Sequence, residues 1–169
     1  AISSWGIGSI ISSLTQFFDV TGPAQSLSNI AYSLFYPFAF IAIPRAIAKG
    51  KKLKLIELLD AGIFGLGLSS IIAALLLATL LQDSGVNTFF SILYTVCDIA
   101  LVVIVLASAV ISELTIRLIL LITGVLTFSF TDFYFLWSET KGSYSFGQLS
   151  DLGWTAGIVL ITLSFWYLP

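Results

Sequence analysis

Histidine and methionine are both absent from the 169 residues, and cysteine occurs once, at Cys97. Without His or Met there is no ordinary axial pair for a b-type or c-type haem. Imidazole-based zinc, copper and iron sites are excluded with it. A single cysteine rules out an intrachain disulfide. Retinal would need a lysine at mid-membrane, and every lysine lies near the end of an apolar run. No phosphate loop, metalloprotease helix or Ser-His-Asp set is present. The sequence therefore predicts neither an enzyme nor a metal or cofactor protein. The missing initiator methionine implies a chain that starts inside a longer or processed product. The first apolar run is not read as a signal peptide, because no basic residue precedes it.

Charge is also scarce. Charged residues make up 9% of the chain and hydrophobic ones 58%, where soluble domains carry about 25% charged residues. Too little polar surface exists to face water. Five or six runs of roughly 20 mostly apolar residues match a hydrocarbon core of about 30 Å. They are continuously apolar and do not alternate every second residue, which argues against a transmembrane barrel. The expectation is an all-α polytopic bundle, a single integral membrane domain over 1–169. Its six helices are placed near 4–21, 27–48, 57–82, 87–112, 114–138 and 149–168. Turn chemistry marks the breaks at Thr21-Gly22-Pro23, Gly50-Lys51-Lys52, Gln82-Asp83-Ser84-Gly85, Ser112-Glu113 and between Ser138 and Gly147.

Six of the seven basic residues fall on two connections: Arg45, Lys49, Lys51, Lys52 and Lys54 on the second, Arg117 on the fourth. Lys and Arg are retained on the cytoplasmic side. That rule places both connections, and with them both ends of the chain, inside a cell membrane. The lysine cluster reads first as a topology anchor, with anionic lipid headgroups as its alternative partner. Nothing in the chain points to nucleic acid.

A short pattern opens three helices. Asn29-Ile30-Ala31-Tyr32-Ser33, Ser91-Ile92-Leu93-Tyr94-Thr95 and Asp151-Leu152-Gly153-Trp154-Thr155 each run small polar, aliphatic, variable, aromatic, hydroxyl. The aromatic recurs after 62 and then 60 positions, a spacing that suits repeated helical hairpins. Gly8 followed by Ser13, Thr15 and Phe17 parallels Gly124 followed by Ser129, Thr131 and Phe133. Three hairpins are expected, the middle one most diverged. The small polar residue is expected to cap its helix, since the first amides lack partners. Asp151 would also meet the positive end of the helix dipole. Trp154 and Tyr32, one turn in, are read as anchors at the headgroup boundary in preference to ligand contacts.

Lipid tails are as apolar as Leu, so helices associate through close packing and polar contacts. The third predicted helix spaces Ala61, Gly65, Ser69 and Ala73 four apart as a packing stripe. The first puts Ser9, Ser12, Ser13 and Gln16 on one face, which is expected to point inward.

Asp98 and Asp132 are the only charges well inside predicted spans. Intramembrane carboxylates are costly and mark functional sites by default. On a rise of about 1.5 Å per residue they lie roughly 15 Å and 9 Å below the outer ends of their helices. A tentative outer-half pocket would join them to Tyr36, Gln16, Tyr134, Asp151 and Trp154. It would hold a polar or cationic ligand or act as a proton-sensitive switch. The competing reading is a neutral Asp hydrogen-bonded to Ser, Thr or Tyr. An aspartyl intramembrane protease needs two carboxylates sharing a proton. The different depths and the lack of a Gly-x-Gly-Asp setting argue against it.

The last two helices resemble the membrane-embedded N-terminal region of bacterial signalling proteins that carry GGDEF and EAL domains, the makers and breakers of cyclic di-GMP. Such regions show an Asp late in a Gly-containing helix, a loop with Tyr and Gly, then an Asp-x-x-Trp helix ending in Pro. Here those residues are Gly124, Asp132, Tyr144, Gly147, Asp151, Trp154 and Pro169. The fourth helix resembles the same region's Tyr-Pro-x-x-Asp through Tyr94, Thr95 and Asp98, with Thr95 in place of Pro. The resemblance implies a non-catalytic sensory input module whose last helix passes a signal inward. The alternative is an accessory structural subunit of a larger membrane complex, its 14 Phe partly facing other subunits or further copies. Repeated hairpins also occur in transporters, a third reading, although no helix broken at mid-membrane is evident.

Overall fold

A computed structural model describes residues 1–18, 22–47, 63, 67, 70, 86–111 and 113–166. Among these residues every regular element is helical: α1 (Ile2–Phe17), α2 (Pro23–Ser33), α3 (Phe35–Ile47), α4 (Val86–Ile111), α5 (Ile116–Thr140) and α6 (Leu152–Trp166), the last preceded by a 3-10 turn at Leu149–Asp151. Leu34 keeps helical dihedrals and its amide still donates to the Ile30 carbonyl at 3.1 Å. So α2 and α3 run on as one rod, and the described residues form five rods. The seam at Leu34 has a chemical cause. Pro37 has no N–H for the Ser33 carbonyl, the bond that would have carried the ladder across.

Among the described residues, four stretches are long and apolar enough to cross a membrane: Pro23–Arg45, Phe89–Leu106, Ile116–Glu139 and Leu149–Trp166. The protein thus has the make-up of an all-α membrane protein. Of the six expected crossings, the third, at 57–82, lies outside the described residues apart from Ile63, Gly67 and Ser70, which are helical and exposed. The stripe Ala61, Gly65, Ser69 and Ala73 and the lysines 49, 51, 52 and 54 fall outside them too.

The first expected crossing is corrected. As α1 it holds 16 residues and ends at Phe17, not at 21. At about 1.5 Å per residue it reaches only about 24 Å. The second helix starts at Pro23 and not at 27, because proline at a first helical position loses no bond and has its φ already set. Asn29 consequently lies well inside α2, so the expected Asn29 cap is not formed. Gly22, at φ 98°, holds the cap position without a side-chain bond. By contrast, α5 is capped as chemistry prefers: the Thr115 hydroxyl accepts from the Leu118 amide at 3.3 Å.

The described residues divide into two compact units, Ala1–Ala42 and Ile43–Pro169. Within the first, α1 packs on α2. Gly8 leaves room for an aromatic side chain, and a Cβ there would come within 2.8 Å of the Tyr32 ring. Trp5 completes the contact, with its ring 6.1 Å from that of Tyr32. The buried face of α1 is Gly8 and Thr15. Ser13 and Gln16 are exposed, and Ser9 and Ser12 are half-buried. The expected inward serine face is therefore rotated. The stripe that meets α2 follows the residue without a side chain, because that is where the backbones come closest.

Within the second unit, α5 is the shared wall. Its α4 side carries Phe133 and Leu136, packed against Ile99 with Val96 and Val103. On its α6 side, backbones touch at Gly124 and Gly157. A Cβ on Gly124 would meet the Ile161 amide nitrogen at 2.8 Å, and one on Gly157 would meet the Gly124 carbonyl at 3.0 Å. Gly153 abuts the Thr131 side chain. The contacts 124 with 161, 128 with 157 and 131 with 153 run in opposite senses along the two helices, so α5 and α6 form a close antiparallel hairpin.

Candidate functional site

Asp98 lies fully buried on α4, with Thr95 one turn before it and Leu101 and Val105 after it also buried. Such a carboxyl is costly in an apolar setting, and helix positions 95, 98, 101 and 105 keep it on the deepest side of α4. Ile99 packs against Phe133, and Asp98 and Asp132 immediately precede that pair. The two carboxylates therefore lie within about one turn of the same height on adjoining antiparallel helices.

Asp132 is half-buried and committed. The Trp154 indole N–H donates to its Oδ1 at 2.5 Å, which ties α5 to α6. The Phe135 ring holds the indole from one side, with centroids 5.5 Å apart, and meets the Tyr144 ring edge-on at 4.7 Å. Trp154 is thus not simply a headgroup anchor. Its single donor is spent inside the hairpin, as buried tryptophans require.

Asp151 differs from expectation as well. Its carboxylate does not cap the helix that follows. It turns back, accepting the Gly147 amide at 2.9 Å, the Tyr144 hydroxyl at 3.3 Å and the Ser150 hydroxyl. The loop supplies a donor in a left-handed turn at Gly147, φ 84°. That turn brings an amide to the carboxylate more closely than the 3-10 turn brings its own.

The other expected site residues are spread out. Tyr134 is 40% exposed and stacks at 5.8 Å on Trp137, whose ring also carries the Lys141 ammonium at 4.3 Å. Gln16 and Tyr36 belong to the N-terminal unit, Gln16 exposed on α1 and Tyr36 buried on α3. Arg45 is exposed near the end of α3, and Arg117 is half-exposed in the first turn of α5. The structure brings together Asp132 with Trp154, and Asp151 with Tyr144 and Gly147. Among the described residues no three His, Cys, Asp or Glu side chains group as a metal site would require. One polar atom stands out beside these pairs. Ser129 Oγ is buried on α5 without a hydrogen-bond partner among the described residues.

Two functional positions carry a legible signal of their own. Gly153 and Gly157 are spaced four apart at the start of an apolar helix, the spacing that lets two membrane helices touch backbones. Gly124 enters the sequence pattern through the repeat and the resemblance, not as a crossing point. What the arrangement can do chemically is limited and specific. A carboxylate accepts the indole N–H more strongly when ionised than when neutral, so the α5–α6 link is sensitive to charge at Asp132. No family model, curated protein or solved structure matches the chain.

Proposed function

We propose that this chain is the membrane-embedded, non-catalytic input module of a signalling protein, of the kind that precedes GGDEF and EAL domains. Its long apolar helices cross the membrane, with the lysine-rich connection and the end of α6 on the cytoplasmic side. The observation that carries this reading is the Asp132–Trp154 hydrogen bond, within about one turn of buried Asp98 in height. It supplies a physical route from a charge-bearing level of the bundle to the last helix. A ligand or proton that changes the charge at Asp98 alters how α4 sits on α5. Because α5 and α6 touch through glycine backbones, α6 follows α5. The output is a displacement of the hairpin against α4, delivered at the end of α6.

The test uses the full chain in phospholipid nanodiscs, with protons as the probe. Spin labels on the exposed positions Leu106 of α4 and Val159 of α6 report the interhelical distance from pH 5 to pH 8.5. A shift that Asp98→Asn abolishes is the expected result. A distance that stays constant with pH, or that shifts equally in the Asp98→Asn protein, removes Asp98 from the mechanism. Impermeant amine labelling of Lys51 and Lys52 in intact cells checks the orientation independently; reaction from outside reverses it.

A further inference from the structure

The connection between α5 and α6 has its polarity reversed relative to a loop that lies in water. Its large apolar side chains are outermost: Phe146 is 55% exposed, Leu149 84% and Leu152 60%. Its polar side chains are largely spent on the loop itself. Asp151 holds the Gly147 amide and the Tyr144 hydroxyl. The Gln148 amide donates to the Ser143 carbonyl at 3.2 Å and to Ser145 Oγ at 2.9 Å. The backbone is also supplied from within: the amides of Gly142 and Ser143 donate to the Glu139 and Ser138 carbonyls, and the Asp151 amide donates to the Gln148 carbonyl. Left-handed turns at Gly142 (φ 64°) and Gly147 (φ 84°) make this compact path accessible. Water asks for none of this, because it would satisfy the same groups itself. A medium poor in water does ask for it.

The exposed apolar residues are also continuous with a longer surface. Leu152, Val159, Leu163 and Trp166 are all exposed, and their spacing of seven, four and three draws one stripe down α6. Leu149 extends that stripe beyond the helix start, and Phe146 extends it into the loop. At the α5 end, exposed Tyr134 and Trp137 lie beneath Lys141, the arrangement of aromatic ring and basic side chain that collects at headgroup level.

We infer that the 142–152 connection is seated in the membrane interface, with Phe146, Leu149 and Leu152 buried among phospholipid headgroups and upper acyl chains. The partner is the lipid surface itself. The occupant follows from continuity, since the stripe on α6 that must face lipid is the one the loop prolongs. The internal hydrogen bonds hold the loop in shape so that its apolar side can be presented without exposing the backbone to lipid.

Site-directed spin labels test this in nanodiscs of a zwitterionic phosphatidylcholine. Phe146→Cys and Leu149→Cys are compared with Leu163→Cys as the lipid reference and Glu113→Cys as the water reference. The native Cys97 is buried and serves as the unlabelled background. Collision with oxygen, which partitions into lipid, is divided by collision with a water-soluble nickel chelate. The expected ratio at 146 and 149 is several-fold above that at 113 and approaches that at 163. A ratio equal to that at 113 puts the loop in water and overturns the inference. Protection from both reagents overturns it too, because the loop would then be covered by protein, either a partner or a second copy. All four positions are exposed, and circular dichroism of each labelled protein confirms that the helices are retained.

Discussion

The α1–α2 hairpin and the α5–α6 hairpin carry the same sequence pattern and are closed by different contacts. In both, a glycine on the first helix marks the crossing, and a buried threonine seven residues later bonds its own helix, Thr15 to the Ser12 carbonyl and Thr131 to the Thr127 carbonyl. In the N-terminal hairpin Gly8 receives the ring of Tyr32. In the C-terminal one Gly124 receives the backbone of α6, and the aromatic at the matching position, Trp154, sits two turns away on Asp132. The cause lies on the second helix. Where α6 has Gly157, the repeat puts Phe35, buried at 3% exposure. A phenylalanine at that position cannot give the backbone contact that Gly157 gives, and Gly8 houses the Tyr32 ring instead. Glycine at a helix crossing therefore does not have one meaning. What it accommodates is decided by the residue that arrives opposite.

The comparison can be broken most sharply at its glycines. Gly157→Leu should separate α5 from α6, since even a Cβ there meets backbone that cannot swing aside. The expected loss is at least ~3 kcal/mol, the upper range for overpacking, read as a lower unfolding midpoint in a denaturing-detergent titration. Gly8→Leu should cost less, about 1–2 kcal/mol on the same scale, because the Tyr32 ring can turn away. Equal losses would mean that the two crossings are alike after all.

Next in size is the polar link. Asp132→Asn and Trp154→Phe should each lower stability by about 1–3 kcal/mol, with a coupling of at least ~1 kcal/mol in the double-mutant cycle. Additive single effects would mean that the bond is not formed in the membrane. The corresponding pair in the first hairpin, Gln16→Asp with Tyr32→Trp, should show coupling within about 0.3 kcal/mol. Gln16 is exposed and Tyr32 is engaged at Gly8. The smallest effect is expected at the loop, where Tyr144→Phe removes one neutral donor from Asp151 and costs about 0.5–1 kcal/mol. It should leave the α5–α6 distance unchanged while loosening the label motion at 146.

Much of this architecture could be read directly from the residues. Apolar runs of membrane length marked α4, α5 and α6 to within two or three residues, because the cost of unpaired backbone in lipid forces such runs to be helical. Asp98 was singled out as a buried carboxyl, and it is one. What failed was direction. Asp151 and Asn29 both have the chemistry of a helix cap, yet one turns back to a loop amide and the other lies inside a helix that proline had already begun. The serine face of α1 was drawn by polarity, whereas the helix turns by where Gly8 lets α2 approach. The interface reading of Trp154 is compatible with its hydrogen bond to Asp132, but that partner, 22 positions away, lies beyond any local rule.

The sequence by itself determined that this chain is helical, apolar and poor in chemistry, because composition and run length fix what a backbone can do when water is withdrawn. Only the tertiary structure decided which glycine meets backbone and which meets a ring, and which carboxyl holds an indole. It also decided that the polar side chains of the α5–α6 loop bond one another and the loop backbone while Phe146 and Leu149 are exposed. Those outcomes depend on which helix arrives opposite and at what height, a property of pairs of distant residues that neither member carries alone.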